Sequence, residues 1–339
     1  MNAYEKHNLN DRDGLDWVHR FGWLRTLELG ALLWPGTAEA SATRQANRLA
    51  KSWVKRGLVL ERQLPENAGR ALVLATGGVR VLAEHGIEAT SGKDVGKLID
   101  NPTWRPPLKY EPLWLPPLTW RHDLLAAGVL VDLHLRGYKV LPEATIRRHA
   151  GNLIKIPDGL AVKDKQVLWL EVESARKTGK AMRDLADALC AVSDKQAAAV
   201  LGHRPTHVLV AHTADSKDER GHKLSHRTRI RAAVAEVAKG DVSITWAACE
   251  LRGAAGVGNV EYEQELVQAD RAAAILKRME WRLSSEEEGV LVASYGEKLG
   301  YVWEYNDDNW CYQVNDRPAG FAKNQEAAKR ACAAEIAVM

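Results

Sequence analysis

The sequence predicts an α/β fold in three successive parts, on three observations. Helical and strand-like stretches alternate over residues 121–252, which argues for one sheet with helices on its faces. Residues 12–90, ahead of them, read as short helices around a strand pair, and residues 260–339 read as a helix followed by a small β-β-α unit. Between the first two parts lies "DNPTWRPPLKYEPLWLPPLTW", residues 100–120, with six of the chain's twelve prolines. Proline fixes φ and removes an amide donor, so this stretch reads as an extended linker. Its tryptophans, Trp104, Trp114 and Trp120, suggest a linker lying along a surface.

In the N-terminal part, "GLDWVHRFGWL", "TLELGALLW" and "SATRQANRLAKSWVKRG" read as helices. "LVLERQLPENAGRALVLAT" reads as two strands around a turn, and "GGVRVLAEHG" as a last helix. In the third helix Arg44, Arg48, Lys51 and Lys55 share one side, while Ala46, Leu49, Ala50 and Trp53 share the other. No acid stands between Ser41 and Arg56, so the basic side has no internal neutralisation and suits phosphates and base edges in a major groove. Ser41 is the expected N-cap and Gly57 the expected stop. Three helices, a hairpin and a closing helix resemble a winged helix-turn-helix domain, which implies DNA binding. The bland alternatives are a merely solvated face or a protein-binding winged domain.

In the α/β part, "RHDLLAAGVLVDLHLRG" is helical, "YKVLPEATI" strand-like, and "IKIPDGLAVKDKQVLWLEVE" a hairpin. A helix, the strand "HVLVAHT", another helix and the strand "VSITWAACE" follow. From about residue 260, "ELVQADRAAAILKRMEWRL" reads as a helix, "YVWEYNDDNWCYQV" as two strands around an Asn/Asp turn, and "NQEAAKRACAAEIAV" as a closing helix.

Composition narrows the class. With 339 residues, 46% hydrophobic and 27% charged, the chain can bury at least one large core. A formal charge of +3 does not argue for nucleic acid, so any basic site must come from local clustering. The four cysteines lack a metal-knuckle spacing. With no signal peptide and no apolar stretch of bilayer length, the expectation is a cytoplasmic protein with reduced thiols and no membrane partner.

The hairpin carries the chemistry. Alternation puts Trp169, Glu171 and Glu173 on one face and Leu168, Leu170 and Val172 on the other. A two- or four-residue loop centred on Asp164 and Lys165 sets Asp158 across from Glu171, so three carboxylates converge at one sheet end. Like charges this close call for a cation or a shared proton, and oxygen donors suit Mg2+ or Mn2+ against a phosphodiester. Lys177 is the nearest lysine for the developing charge, with Lys155 and Lys195 as alternatives. The bland alternative is a solvated acidic hairpin.

"PDG" followed by "EVE", between two helices, resembles the PD-(D/E)xK nuclease superfamily, with a restriction-endonuclease-like α/β core. By position, Asp158 matches its aspartate and Glu171 its second acid. Glu173 stands where the lysine belongs, a departure also known in Glu-x-Glu restriction enzymes. With a winged domain in front, the arrangement is similar to the plasmid replication-relaxation family, which includes C-type mobilisation relaxases. The resemblance covers about residues 15–250. It implies a metal-dependent endonuclease of a mobile element, with Asp158, Glu171 and Glu173 catalytic and Glu143, on the strand before the hairpin, completing the set. It also implies duplex DNA and other mobilisation or replication proteins as partners, with a homodimer as one assembly. The alternative is a non-catalytic DNA-binding regulator or replication accessory on the same scaffold. His203, His207, His212, His222 and His226 read as structural or surface histidines, since His207 and His212 lie on opposite faces of one strand.

Overall fold

The computed structural model of the chain describes residues 3–101, 105, 112–149, 155–174, 179–213, 216–217, 223–250, 257, 260–276, 278–285, 287–306 and 309–338. It is a mixed α/β structure with two compact units. One comprises Met1–Arg176, Ala191–Arg227 and Ile244–Glu265, and the other Lys177–Cys190, Thr228–Ser243 and Leu266–Met339.

The first unit opens with α1 (Ala3–Phe21), which ends at Gly22. Gly22 has φ +82°, a left-handed conformation that glycine adopts without a Cβ clash. The chain then enters β1 (Trp23–Arg25), so the single helix expected over 14–24 is a helix, a turn and a strand. Next come α2 (Thr26–Leu33) and α3 (Glu39–Lys55). These two lie close at Gly30, where a Cβ would come within 2.9 Å of the Ala42 backbone. Helix α3 starts ahead of Ser41, and Ala38 occupies the N-cap position without a side-chain bond, which corrects the expected cap. It stops as expected at Gly57 (φ +67°), whose N–H donates to the Val54 carbonyl.

β2 (Val59–Gln63) and β3 (Arg70–Leu74) form the expected pair, with Val59 opposite Leu74. β1 adds to the other edge of β3, and α4 (Thr76–Glu84) follows. The core beneath holds Leu15, Val18, Leu29, Leu49, Trp53, Leu72 and Leu82. Trp53 Nε1 donates to Asp11 Oδ1 at 2.6 Å, and Asp11 also pairs with Arg56 at 2.7 Å, so α1 is tied to α3 at its last turn.

β4 (Lys97–Ile99) pairs with β5 (Leu113–Leu115). Trp114 Nε1 donates to the Val95 carbonyl at 2.9 Å, and Trp120 is buried beside Trp23 and Leu64. Those two tryptophans of the proline-rich stretch are thus held down; Trp104 lies outside the described residues.

The chain then runs through α5 (Trp120–Leu135), β6 (Lys139–Pro142), α6 (Glu143–His149), β7 (Gly159–Lys163), β8 (Gln166–Glu173), α7 (Gly179–Ser193), β9 (His207–Thr213), α8 (His226–Val237), β12 (Val242–Cys249) and β13 (Glu261–Val267), most of α7 and α8 belonging to the second unit. β10 (Ser216–Lys217) and β11 (Lys223–Leu224) form a separate small pair. In the sheet that carries the acids the strand order is β13-β12-β9-β8-β7-β6, with β6, β7 and β8 antiparallel and β8, β9 and β12 parallel. Parallel neighbours need crossovers, which α7 and α8 supply in the chain order. Leu168, Leu170 and Val172 face a core with Leu125, Val129, Leu130 and Leu133 of α5.

Two local expectations give way to long-range contacts. The strand expected through Ile146 stops at Pro142, because Glu143 opens α6 with an i,i+4 ion pair to Arg147 at 2.5 Å. Thr145 Oγ1 and Arg148 then bond the carbonyl ends of α1, at Arg20 and His19. The helix expected over 265–283 is broken into the end of β13 and a short α9 (Arg271–Leu276). β13 is held by Arg227, which grips Glu263 and Glu265, and by Tyr262 donating to Asp132 at 2.7 Å.

The second unit contains α9, β14 (Arg282–Leu283), β15 (Val290–Tyr295), β16 (Lys298–Asn306), β17 (Asn309–Val314), β18 (Gly320–Ala322) and α10 (Gln325–Val338). Its strands form one antiparallel meander over Ala328, Cys332 and Ile336 of α10. Five strands stand where two were expected: β14 and β18 are too short for alternation to mark them, and β15 was not anticipated. Among the described residues no helix is long and apolar enough to cross a membrane, and all four cysteines are buried.

Because Trp53 is fully buried and bonded to Asp11, Trp53→Ala is expected to cost about 3–5 kcal/mol, read as a lower urea midpoint of the first unit.

Candidate functional site

The β7–β8 hairpin has the register that alternation predicts: Gly159 faces Leu170, Lys163 faces Gln166, and Asp164 and Lys165 form a two-residue turn. Asp164 takes φ +52°, which aspartate tolerates better than most residues. Just before β7, Asp158 N–H donates to the Leu170 carbonyl at 3.0 Å, and Val172 N–H donates to Asp158 Oδ2 at 2.7 Å. Asp158 is thereby fixed across from Glu171.

The acidic hairpin is not solvated. Glu171 and Glu173 are each 1% exposed, on the side of β8 away from α5. Glu171 is fully bonded: Trp169 Nε1 donates to Oε1 at 2.7 Å, and Lys155 Nζ to Oε2 at 2.5 Å. Burial raises the Glu171 pKa to about 7; the Asp158 charge adds to this, and Lys155 and Trp169 oppose it.

Asp158 has its own cation. His122, in the first turn of α5, places Nε2 3.1 Å from Asp158 Oδ2 and Nδ1 3.4 Å from Asp123 Oδ1. Burial works against charge on this imidazole, but the bonds to Asp123 and Asp158 and their charges outweigh it and raise its pKa to about 10. On Asp158 burial acts upward, but the His122 bond and charge, the Val172 N–H and Lys155 together leave its pKa lowered. Two carboxylates are thus set against two cations in a space mostly closed to water.

The other expected residues stand apart from this centre. Glu173 is the register partner of His212 in the parallel pair β8–β9, and both are buried. Among the described residues, no group of three or more His, Cys, Asp or Glu is placed to hold a metal. Glu143 follows Pro142, which faces Gly159, so it lies at the same sheet end, but on a helix and paired with Arg147 instead of on a strand. Lys177 lies outside the described residues. Lys195 stands in the left-handed turn after α7 (φ +57°), while Lys155, named only as an alternative, contacts Glu171. His122 was missed, since nothing in the spacing of residues 122 and 158 announces a contact between a helix start and a strand start.

The donor chemistry fits a divalent cation at the level of a pair. Mg2+ keeps most of its waters and is commonly held by one or two carboxylates plus substrate phosphate, and Asp158 and Glu171 are such donors. The His122 and Val172 contacts both fall on Asp158 Oδ2, whereas Trp169 and Lys155 take one oxygen each of Glu171, so an ion bound at Glu171 would have to replace Lys155.

On α3, Arg44, Arg48, Lys51 and Lys55 are all exposed, while Ala42, Ala46, Leu49, Ala50 and Trp53 are buried. None of the four cations has an ion pair among the described residues, in contrast to Arg25, whose guanidinium is buried against Glu28 and the Ala68 carbonyl. Compared with known proteins, the chain matches no family model, no curated protein and no solved structure.

The Glu171 carboxyl couples stability to pH with a definite sign. Its folded pKa, about 7, lies above the ordinary 4.5, so its contribution is complete below pH 4.5 and is lost as pH rises through 7. The stability difference between wild type and Glu171→Gln should therefore shift against wild type over that window, by on the order of 3 kcal/mol. Thermal melts of both proteins from pH 4 to 8 check this; parallel curves refute the raised pKa.

Proposed function

We propose that the chain binds duplex DNA through α3 and cleaves or nicks a phosphodiester at the Asp158–Glu171 pair, as a relaxase-like endonuclease of a mobile genetic element. The observation that carries the reading is the exposed basic face of α3, without an ion pair among the described residues, over an apolar buried face. Cations kept at that density without counter-ions suit a polyanion, and neutralising phosphates releases condensed ions. The order of helices, three-stranded sheet and α4 supports a winged helix-turn-helix reading. An antiparallel hairpin beside parallel strands, with Asp158 and Glu171 at its end, supports a PD-(D/E)xK type of core.

Asp158 and Glu171 would hold Mg2+ or Mn2+, which when bound polarises the phosphoryl group and favours ionisation of water. The chain's own residues do the rest. Val172 N–H and His122 orient Asp158, Trp169 orients Glu171, and Lys155 carries the positive charge nearest to the pair. A non-catalytic DNA-binding regulator is the second reading, favoured by one observation: His122 and Lys155 already neutralise both acids.

Incubation with supercoiled plasmid, with and without Mg2+ or Mn2+, separates the two: nicked or linear product only with metal supports the enzyme, and a gel shift without product supports the regulator. Glu171→Ala is expected to abolish cleavage while leaving DNA affinity within about twofold, since the acid lies on a different element from α3. Arg44→Ala with Arg48→Ala should weaken duplex binding and lower the slope of log K against log salt by about 2. An unchanged slope removes α3 from the interface.

A further inference from the structure

We infer that Lys155 is an exchangeable counter-ion: its ammonium holds the cation position at Glu171 in the metal-free protein and is displaced when a divalent ion binds there. This rests on the metal-site reading above and adds a competitor that the chain itself supplies.

The argument begins with geometry. Lys155 Nζ sits 2.5 Å from Glu171 Oε2, the one oxygen of that carboxylate not taken by Trp169. Glu171 is 1% exposed, whereas the Lys155 side chain is 27% exposed, so the acid is fixed and the cation stands at the rim with a route to water. Their attachments differ in the same way. Glu171 lies inside β8, bonded into the sheet, while Lys155 precedes β7 and stands outside any strand or helix. Lysine carries its charge on a flexible stem and can leave without disturbing the backbone, which a guanidinium locked in a fork cannot do as readily. His122 is held differently: it lies in a helix and contacts both Asp123 and Asp158, so it stays with the acids while Lys155 departs.

Charge decides the consequence. His122 and Lys155 offset two of the three charges of Asp158, Glu171 and Asp123, so a divalent ion entering the cluster meets little net attraction while Lys155 stays in place. Release of Lys155 restores one negative charge and frees one carboxylate oxygen. The freed ammonium remains beside the pair, where it suits the phosphate oxygen that a bound strand would bring. Metal affinity is therefore weak without nucleic acid and rises when a phosphate accepts Lys155.

The test is Mn2+ binding to the full chain without DNA, followed by calorimetry and by the electron paramagnetic resonance of free Mn2+. Lys155→Ala and Lys155→Met should bind Mn2+ at least about tenfold more tightly than wild type, the size expected when one repelling charge leaves a partly buried site. Lys155→Arg should bind no more tightly than wild type, and Glu171→Gln in the Lys155→Ala background should remove the gain. Circular dichroism melts of each variant show whether the fold is kept, and the two neutral variants guard against one failing to fold. Equal Mn2+ affinity in wild type and both neutral variants, with binding still abolished by Glu171→Gln, overturns the counter-ion role and leaves the metal site standing. No Mn2+ binding in any folded variant overturns both.

Discussion

A carboxylate taken out of water must find compensating donors or give up its charge, and the end of the six-stranded sheet is organised by that constraint. Asp158 and Glu171 meet there because the hairpin register leaves no alternative: once Gly159 faces Leu170, the residue before β7 falls opposite Glu171. Everything nearby answers their charge. A backbone amide and an imidazole meet Asp158, and an indole N–H and an ammonium meet Glu171. The first turn of α5 and the segment entering β7 are positioned by this need as much as by apolar packing. Even so the compensation is incomplete, since Glu171 keeps a pKa near neutrality.

The basic helix obeys the opposite rule. In the first unit, the buried charges Arg25, Glu28 and Asp11 are matched: Arg25 with Glu28, and Asp11 with Trp53 and Arg56. On the outer face of α3 four cations stand without such partners among the described residues. Solvation makes that arrangement tolerable, and the rigid backing of Trp53, Leu49 and Ala46 keeps the four in one stripe. A fixed row of unmatched cations gains most from a ligand that is itself a row of anions, which is why duplex DNA is the reading preferred over a merely wet surface. β1 and α2 connect this region to α5, through Leu24 and Leu32 against Ala127 and Val131, and the last turn of α1 connects it to α6, through Arg148 on the His19 carbonyl. Burial and the neighbouring Arg148 charge lower the His19 pKa to about 4, which keeps that contact neutral on the imidazole side.

What the residues announced by themselves was local. The alternation in "VLWLEVE", the Asp-Lys turn and the proline before Asp158 sufficed for the hairpin, its register and the facing of Asp158 to Glu171, because strand periodicity and turn length are properties of adjacent residues. The same holds for the two faces of α3 and its stop at Gly57. Tertiary structure alone decided which cations serve the acids. His122 and Lys155 are brought to the pair by the docking of α5 and by the path of the chain into β7, and neither position is coded in a spacing. It also converted Glu143 from a strand residue into a helix start and turned 265–267 from helix into strand, since contacts made by Thr145, Arg148, Arg227 and Trp246 outweigh propensities of a few tenths of a kcal/mol per residue. Whether Glu173 joins its neighbours was likewise beyond the pattern: period two places it on their face, but the distance between side chains is set by twist and packing that only the assembled sheet possesses.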